Sequence, residues 1–192
     1  MSPGDGTPTS PVAPARIAVH GASGSGKTTL AGVLADHLGI ECTELDGLFH
    51  QPDWTPLPTD EFRSAVARVV DGPGWVVDGN YRQVRDLVWA RAEVIVVIDL
   101  PRWRVMAQLL RRTVTRAAVG AELWNGNRER FSNLVSTDDA RNVVLWSWRT
   151  HYRYHGELQA AARAEAPHAR LVVLSDRRSV AAFPDRLLRG DI

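Results

Sequence analysis

Nine consecutive residues, Gly21-Ala22-Ser23-Gly24-Ser25-Gly26-Lys27-Thr28-Thr29, carry the clearest chemistry in the chain. Gly21 and Gly26 flank a run of small residues, so the backbone can turn its N–H groups inward around an anion with no bulky side chain in the way. Lys27 then reaches terminal phosphates, and Thr28 offers a hydroxyl to a phosphate-bound Mg²⁺. A helix opening near Gly26 turns its positive dipole end toward the same point. The spacing is that of the Walker A motif, G-x-x-x-x-G-K-[ST], with Ser23, Gly24, Ser25 and Thr29 completing the cradle. Lys27 is the only lysine in the sequence. An ordinary glycine-rich turn needs neither lysine nor threonine at these offsets, whereas a compact ammonium fits among phosphate oxygens better than a planar guanidinium does.

Carboxylates form the second group. Asp78 follows Val76-Val77 directly and is placed like a Walker B acid that holds Mg²⁺ or one of its waters. Asp46 lies beyond a second apolar run, where an acceptor would be held, and could take a hydroxyl's proton or orient that hydroxyl. Both precede glycine, so a turn or helix cap is the plainer reading of each. Asp99, before Leu100-Pro101, reads first as the cap of the next helix. His50 and Trp54 after Asp46, and Tyr81 and Arg82 after Asp78, are candidates to line an acceptor pocket; Arg85 is a less direct one.

These side chains need elements to position them. The apolar pattern predicts strands at 16–20, 40–45, 75–77, 94–100 and 171–174. Helices are expected at 27–38, stopped by Gly39; at 60–70, capped by Thr59; in a short stretch to Trp89; from Pro101 through Gly120; from about Thr137, capped by it or by Ser136, to Ala164; and after Ser179. Prolines 52, 56 and 58 exclude a continuous helix from DGLF to Thr59. Strands alternating with helices at this spacing predict an α/β, doubly wound, five-stranded parallel sheet, which binds ligands at its strand carboxyl ends. His20, Gly21, Asp46, Asp78 and Asp99 all fall there.

Length and composition fit one domain, residues 16–192, after a Pro-, Gly- and Ser-rich leader at 1–15 that lacks the features of a signal peptide. No apolar run approaches the ~20 residues of a membrane span. The net charge of +1 does not call for a polyanionic partner, and no DNA-reading motif is present, so no nucleic-acid partner is expected. The single cysteine, Cys42, excludes an internal disulfide and reads as a small strand residue of a reducing compartment; a cytoplasmic protein, monomeric or homodimeric, is expected. His151 and His155 have the spacing of a metal pair but no third ligand. Arg149 and Arg153 share a helix face that could meet an anion, and Trp146, Trp148, Tyr152 and Tyr154 read as packing.

Together the segments GASGSGKTT, LDGLFHQPDW, WVVDGNY, VIVVIDLP, LLRRTVTR and WNGNRER resemble the adenylate-kinase-related P-loop proteins known as topology modulation proteins. The resemblance implies a P-loop NTPase fold like that of nucleoside monophosphate kinases, with an arginine-bearing lid at about 112–135. It also implies ATP and Mg²⁺ as cofactors and phosphoryl transfer to a small-molecule acceptor. Arg111, Arg112 and Arg116 then occupy the place of lid arginines, Arg112 and Arg116 on one face at i, i+4, with Arg128 across the lid loop. Residues 176–179 match where related kinases hold adenine. Asp78-Gly79-Asn80-Tyr81 stands where adenylate kinases carry D-G-F-P-R, which argues against AMP as acceptor. The expectation is therefore a small-molecule kinase using Lys27, Asp46, Arg112, Arg116 and Arg128. Its rival is an ATP-binding or ATP-hydrolysing regulatory protein without a metabolite acceptor, linked to DNA by the family label. A GTP switch is disfavoured, since an N-K-x-D motif would need a second lysine.

Overall fold

The structure, a computed structural model, describes residues 15–119, 122–127, 147–148 and 156–192. The expectations for the leader up to residue 14, Arg128, the 136–137 cap, most of the helix at 137–164, and Trp146, Arg149, His151, Tyr152, Arg153, Tyr154 and His155 lie outside the described residues.

Five strands form one parallel sheet: β1 (Arg16–Gly21), β2 (Glu41–Glu44), β3 (Trp75–Asp78), β4 (Val94–Ile98) and β5 (Arg170–Leu174), in the order β2-β3-β1-β4-β5. The described helices are α1 (Lys27–Leu38), α2 (Leu45–Phe49), α3 (Thr59–Val70), α4 (Arg85–Trp89), α5 (Arg102–Val119), α6 (Glu157–Glu165) and α7 (Arg177–Arg189). Single 3₁₀ turns at Pro52–Trp54 and Trp124–Gly126 complete the elements.

Both faces of the sheet are covered, which is why β4 reads as an unbroken apolar run rather than an alternating one. Val94, Val96 and Ile98 face a core shared with Leu30 and Leu34 of α1, Val105 of α5, and Phe183 and Leu187 of α7. Ile95 and Val97 face the opposite core, with Phe62 and Val66 of α3, Trp89 of α4, and Leu158 of α6. Each fully buried aliphatic or aromatic side chain stabilises the fold by about 2 kcal/mol. The sheet therefore fixes the strand ends rigidly, and parallel pairing fixes their register. Asp78 pairs with Val19 on one side and with Glu44 on the other, so two carboxylates sit level on neighbouring strands.

Several boundaries differ from the sequence pattern, each for a local reason. β2 ends at Glu44 rather than Leu45, because LDGLF closes into the short helix α2. Asp46 therefore lies in the first turn of a helix and not on a loop. Pro58, not Thr59, holds the N-cap position of α3, and no side chain caps it; Thr59 already has helical geometry. β4 ends at Ile98, and α5 starts at Arg102, one residue past Pro101. α7 starts at Arg177, since Asp176 accepts hydrogen bonds from the backbone N–H groups of Arg178 and Ser179, while the Ser179 hydroxyl returns a bond to the Asp176 backbone. Asp99 does not stand as a lone cap: its Oδ2 accepts from Gln159 Nε2 at 3.1 Å, tying β4 to α6.

Candidate active site

The stretch from Gly21 to Thr29 leaves β1 and enters α1 as the spacing predicts. Gly24 and Gly26 have φ of 85° and 95°, in the left-handed region that favours glycine. At Gly24 a Cβ would also lie 2.7 Å from the Cβ of Leu109, so α5 leans directly on the loop. α1 begins with Gly26 at its N-cap position and no side chain capping it, leaving its first amides to an anion. The Lys27 ammonium folds back over the loop and donates to the Ala22 carbonyl at 3.3 Å.

Asp78 closes the base of this cradle. The Thr28 hydroxyl donates to its Oδ2 at 2.6 Å, and its other oxygen, Oδ1, is buried with no hydrogen-bond partner among the described residues. Burial pushes the carboxyl above its usual range, opposed by the positive charge of Lys27. A buried carboxylate oxygen without a donor, beside a hydroxyl and below an uncapped helix end, suits a hard divalent cation, so Thr28 and Asp78 fit Mg²⁺. Asn80 braces the pair from the side: its amide donates to the Gly21 carbonyl at 2.6 Å and its oxygen accepts from the Gly21 N–H at 3.2 Å. This reciprocal clamp was missed in the sequence, where DGNY drew attention to its aspartate and tyrosine. Beneath it, His20 Nε2 accepts from the Trp89 indole at 2.8 Å, a role that requires the neutral ring. Burial lowers its pKa to about 4.

Beside the helix end, a cavity of about 400 Å³ is lined by Gly26, Thr29, Val33, Gln108, Arg177 and Pro184. Its place suits the base and ribose of a nucleotide whose phosphates lie in the loop. Of residues 176–179, Arg177 borders it, whereas the side chains of Asp176 and Ser179 are engaged in capping α7.

Across the mouth, a separate wall gathers the predicted acceptor residues. Tyr81 donates its hydroxyl hydrogen to Asp46 Oδ1 at 2.6 Å, and its oxygen lies 3.4 Å from His50 Nε2. The His50 ring meets those of Phe49, Trp54 and Trp124. Burial lowers the pKa of His50, against the raising effect of Asp46. Trp54 is partly exposed at the rim. Asp46, His50, Trp54 and Tyr81 are thus brought together, whereas Arg82 is exposed beyond them. Arg85 is turned elsewhere: it pairs with Glu165 at 2.5 Å and lies over the Trp89 ring.

Of the arginines expected to flank a lid, Arg112 reaches Ser23 Oγ of the glycine-rich loop at 3.4 Å. The charge of Arg116 lowers the pKa of Glu44, though burial and the charge of Asp78 hold that carboxyl above its usual range. Arg111 is exposed. The backbone oxygen of Ser23 also accepts from Ser147, at 3.3 Å. Cys42 is an ordinary strand thiol, which burial pushes up to about 11.

Glu44 and the tetrad Trp124-Asn125-Gly126-Asn127 were not expected among the site residues. The Trp124 indole donates to Glu44 Oε2 at 3.2 Å and packs on Gly47, where a Cβ would lie 2.8 Å from Cδ1. Asn125 donates to the carbonyls of Gly47 and His50 at 3.2 and 2.6 Å. Asn127 donates to the carbonyl of Gln51 at 2.9 Å and accepts from the Trp54 N–H at 2.9 Å. The only sequence signal was the compact WNGN turn, with no pattern to say what it would touch.

A five-stranded parallel sheet in the order 2-3-1-4-5, with a phosphate loop after β1 and helices on both faces, defines the P-loop kinase fold. Solved structures of that fold match nearly the full chain. A gluconokinase from Sinorhizobium meliloti superposes with a TM-score of 0.54 at 18% identity, covering 93% of this chain and 91% of that one. A shikimate kinase from Acinetobacter baumannii, solved with shikimate, gives 0.54 at 14% identity, covering 92% of each chain. Shikimate kinase from Bacteroides thetaiotaomicron gives 0.52 at 14%, covering 90% and 96%. No protein-family model and no curated protein sequence matches the chain.

Proposed function

We propose that this protein is an ATP-dependent phosphotransferase that moves the γ-phosphoryl group of ATP onto a hydroxyl of a small-molecule acceptor. The observation that carries the reading is the pair of sites facing each other across one sheet edge. One is an uncapped, glycine-lined phosphate loop with Lys27 and the Thr28–Asp78 pair. The other is a wall holding a carboxylate, Asp46, in a hydrogen bond to Tyr81. The kinase names of the structural neighbours support it through the shared fold.

In this reading the amides of residues 24–28 and Lys27 bind the phosphates, and Arg112, already at Ser23, moves onto the migrating group. Mg²⁺, held by Thr28 and Asp78, supplies neutralisation of charge on the phosphate oxygens. The bond between the γ-phosphorus and its bridging oxygen breaks, leaving ADP, as the acceptor oxygen bonds to phosphorus. The acceptor's proton passes to Asp46, which Tyr81 orients and which otherwise serves as anchor for that hydroxyl. Arg116, Arg128 and Arg82 are further cations for the closed site, and His50 and Trp54 line the acceptor.

The segments LDGLFHQPDW and VVDGNY support, in our reading, membership of the topology-modulation-like group, and the single cysteine, Cys42, fits a reducing compartment such as the cytoplasm. ADP release by the purified protein, measured with ATP and Mg²⁺ across a panel of nucleosides, nucleotides, polyols and sugar acids, tests the assignment. Stimulation by at least one acceptor, with stoichiometric phosphorylated product, is expected. Slow release indifferent to every acceptor would favour the regulatory ATPase instead.

A further inference from the structure

Five side-chain hydrogen bonds cross from Trp124, Asn125 and Asn127 to residues 44–54, far away in sequence. They hold an unfavourable conformation. Asp53 and Trp54 both have φ of 58°, a left-handed geometry that an aspartate tolerates but a bulky indole does not favour, so the strain falls on Trp54. The turn that contains them buries no residue of its own, so core packing does not impose this shape. Asn127, only 4% exposed, has its side chain committed to the backbone at Gln51, Trp54 and Trp124. The strained turn in turn sets Trp54 against His50, with ring centroids 5.3 Å apart, and His50 stands at Tyr81, the donor to Asp46.

We infer that the tetrad is a latch for the phosphoryl acceptor, with Asn127 as its main positioning residue. By bracing the backbone of 47–54 it sets His50 and Trp54 opposite Asp46 before any acceptor arrives, which lowers the ordering cost of acceptor binding. This inference rests on the kinase reading for its purpose, but not for the latch itself.

The test uses the full chain with Asn127→Ala and Asn127→Asp, the latter placing a carboxylate against two carbonyl oxygens. Amide hydrogen exchange without ligand should accelerate at least about tenfold in residues 47–57, while β1, β3 and β4 stay protected. With an acceptor found from the panel, its KM should rise about tenfold while the KM for ATP stays within about twofold. Unchanged exchange would overturn the latch. Accelerated exchange with both KM values unchanged, or both raised alike, would overturn its acceptor role. No ADP formation with any acceptor would defeat the kinase reading and the acceptor role with it, leaving exchange to decide the latch. Should Asn127→Ala fail to fold, Trp124→Phe, which keeps an aromatic ring beside Gly47 and His50 but loses the bond to Glu44, should show both effects at about threefold.

Discussion

The glycine-rich loop and the wall that we read as the acceptor site both lie at the carboxyl ends of the strands, yet they are built by opposite means. The loop is a single run of nine residues whose binding groups are mostly main-chain amides, set by glycine conformations and by the start of α1. The wall is assembled from three distant parts: Glu44 to Trp54, Tyr81, and Trp124 to Asn127. Side-chain hydrogen bonds spanning 35 to 80 residues of sequence join them. A phosphate is the same in every nucleotide, so a fixed local shape suffices to bind it. An acceptor varies from one enzyme to another, and side chains on separable segments can change without disturbing the loop.

If that division holds, damage to the loop should remove chemistry outright, and damage to the wall should be graded by acceptor. Lys27→Ala is the severest case. Its side chain is partly exposed and its bond to the Ala22 carbonyl is long, at 3.3 Å, so the variant should stay folded, with melting lowered only by the loss of the positive charge that offsets the buried Asp78 carboxylate. Turnover should nevertheless fall by roughly a thousandfold, the usual loss when a preorganised cation is removed from a developing charge. ADP release and thermal melting on the same preparation check both halves; turnover within a factor of ten of the parent would break the assignment of the loop.

The same division explains what could be read before the structure. The loop, the sheet and the strand-end carboxylates Asp46 and Asp78 were legible because their signals are local: glycine spacing, apolar runs and a lone lysine. Glu44, Asn80, Trp124 and Asn127 were not legible, since each acts through a partner at least 59 residues away and no spacing rule connects them. The DGLF segment misled for a different reason. Its neighbouring prolines stop a long helix but leave room for the single short helix that carries Asp46. α7 was placed late because Ser179 was read as a boundary, when its hydroxyl closes a capping box with Asp176.

On the wall, Asp46→Asn separates its two candidate roles. An amide keeps the size and can still bond a hydroxyl, but it cannot take a proton at neutral pH. As a base, Asp46 is worth about a hundredfold in kcat or more. An anchor alone would leave kcat within about threefold and move mainly the acceptor KM.

A third test concerns what lies beneath both regions. His20 is buried and neutral, accepting from Trp89, with its pKa lowered to about 4 from an ordinary value of 6.5. The unfolded chain therefore binds this proton more readily than the native one. Stability from this residue is fully present above pH 6.5 and is lost as pH falls toward 4, by up to roughly 3 kcal/mol. Denaturant midpoints of the parent and of His20→Gln across pH 4 to 7 should converge as the pH drops. Parallel curves would mean that the imidazole is not held neutral.

The smallest effect is the sharpest probe of the wall. Tyr81→Phe keeps the ring packed between Phe49 and Phe62, whose centroids lie 4.7 and 5.2 Å away, and removes only the hydroxyl that holds Asp46 Oδ1 at 2.6 Å. The carboxylate is half-buried, so water can replace part of the lost bond, and stability should fall by only about 1 kcal/mol. Orientation is harder to replace: a carboxylate freed from its donor samples rotamers in which neither oxygen faces the acceptor. Acceptor kcat/KM should then drop about tenfold, with the KM for ATP unchanged, because the lost hydroxyl bonds to Asp46 and stands at His50, both on the wall. A matching loss in both substrates would show that the wall and the loop are mechanically one unit, and the contrast between them would have to be given up.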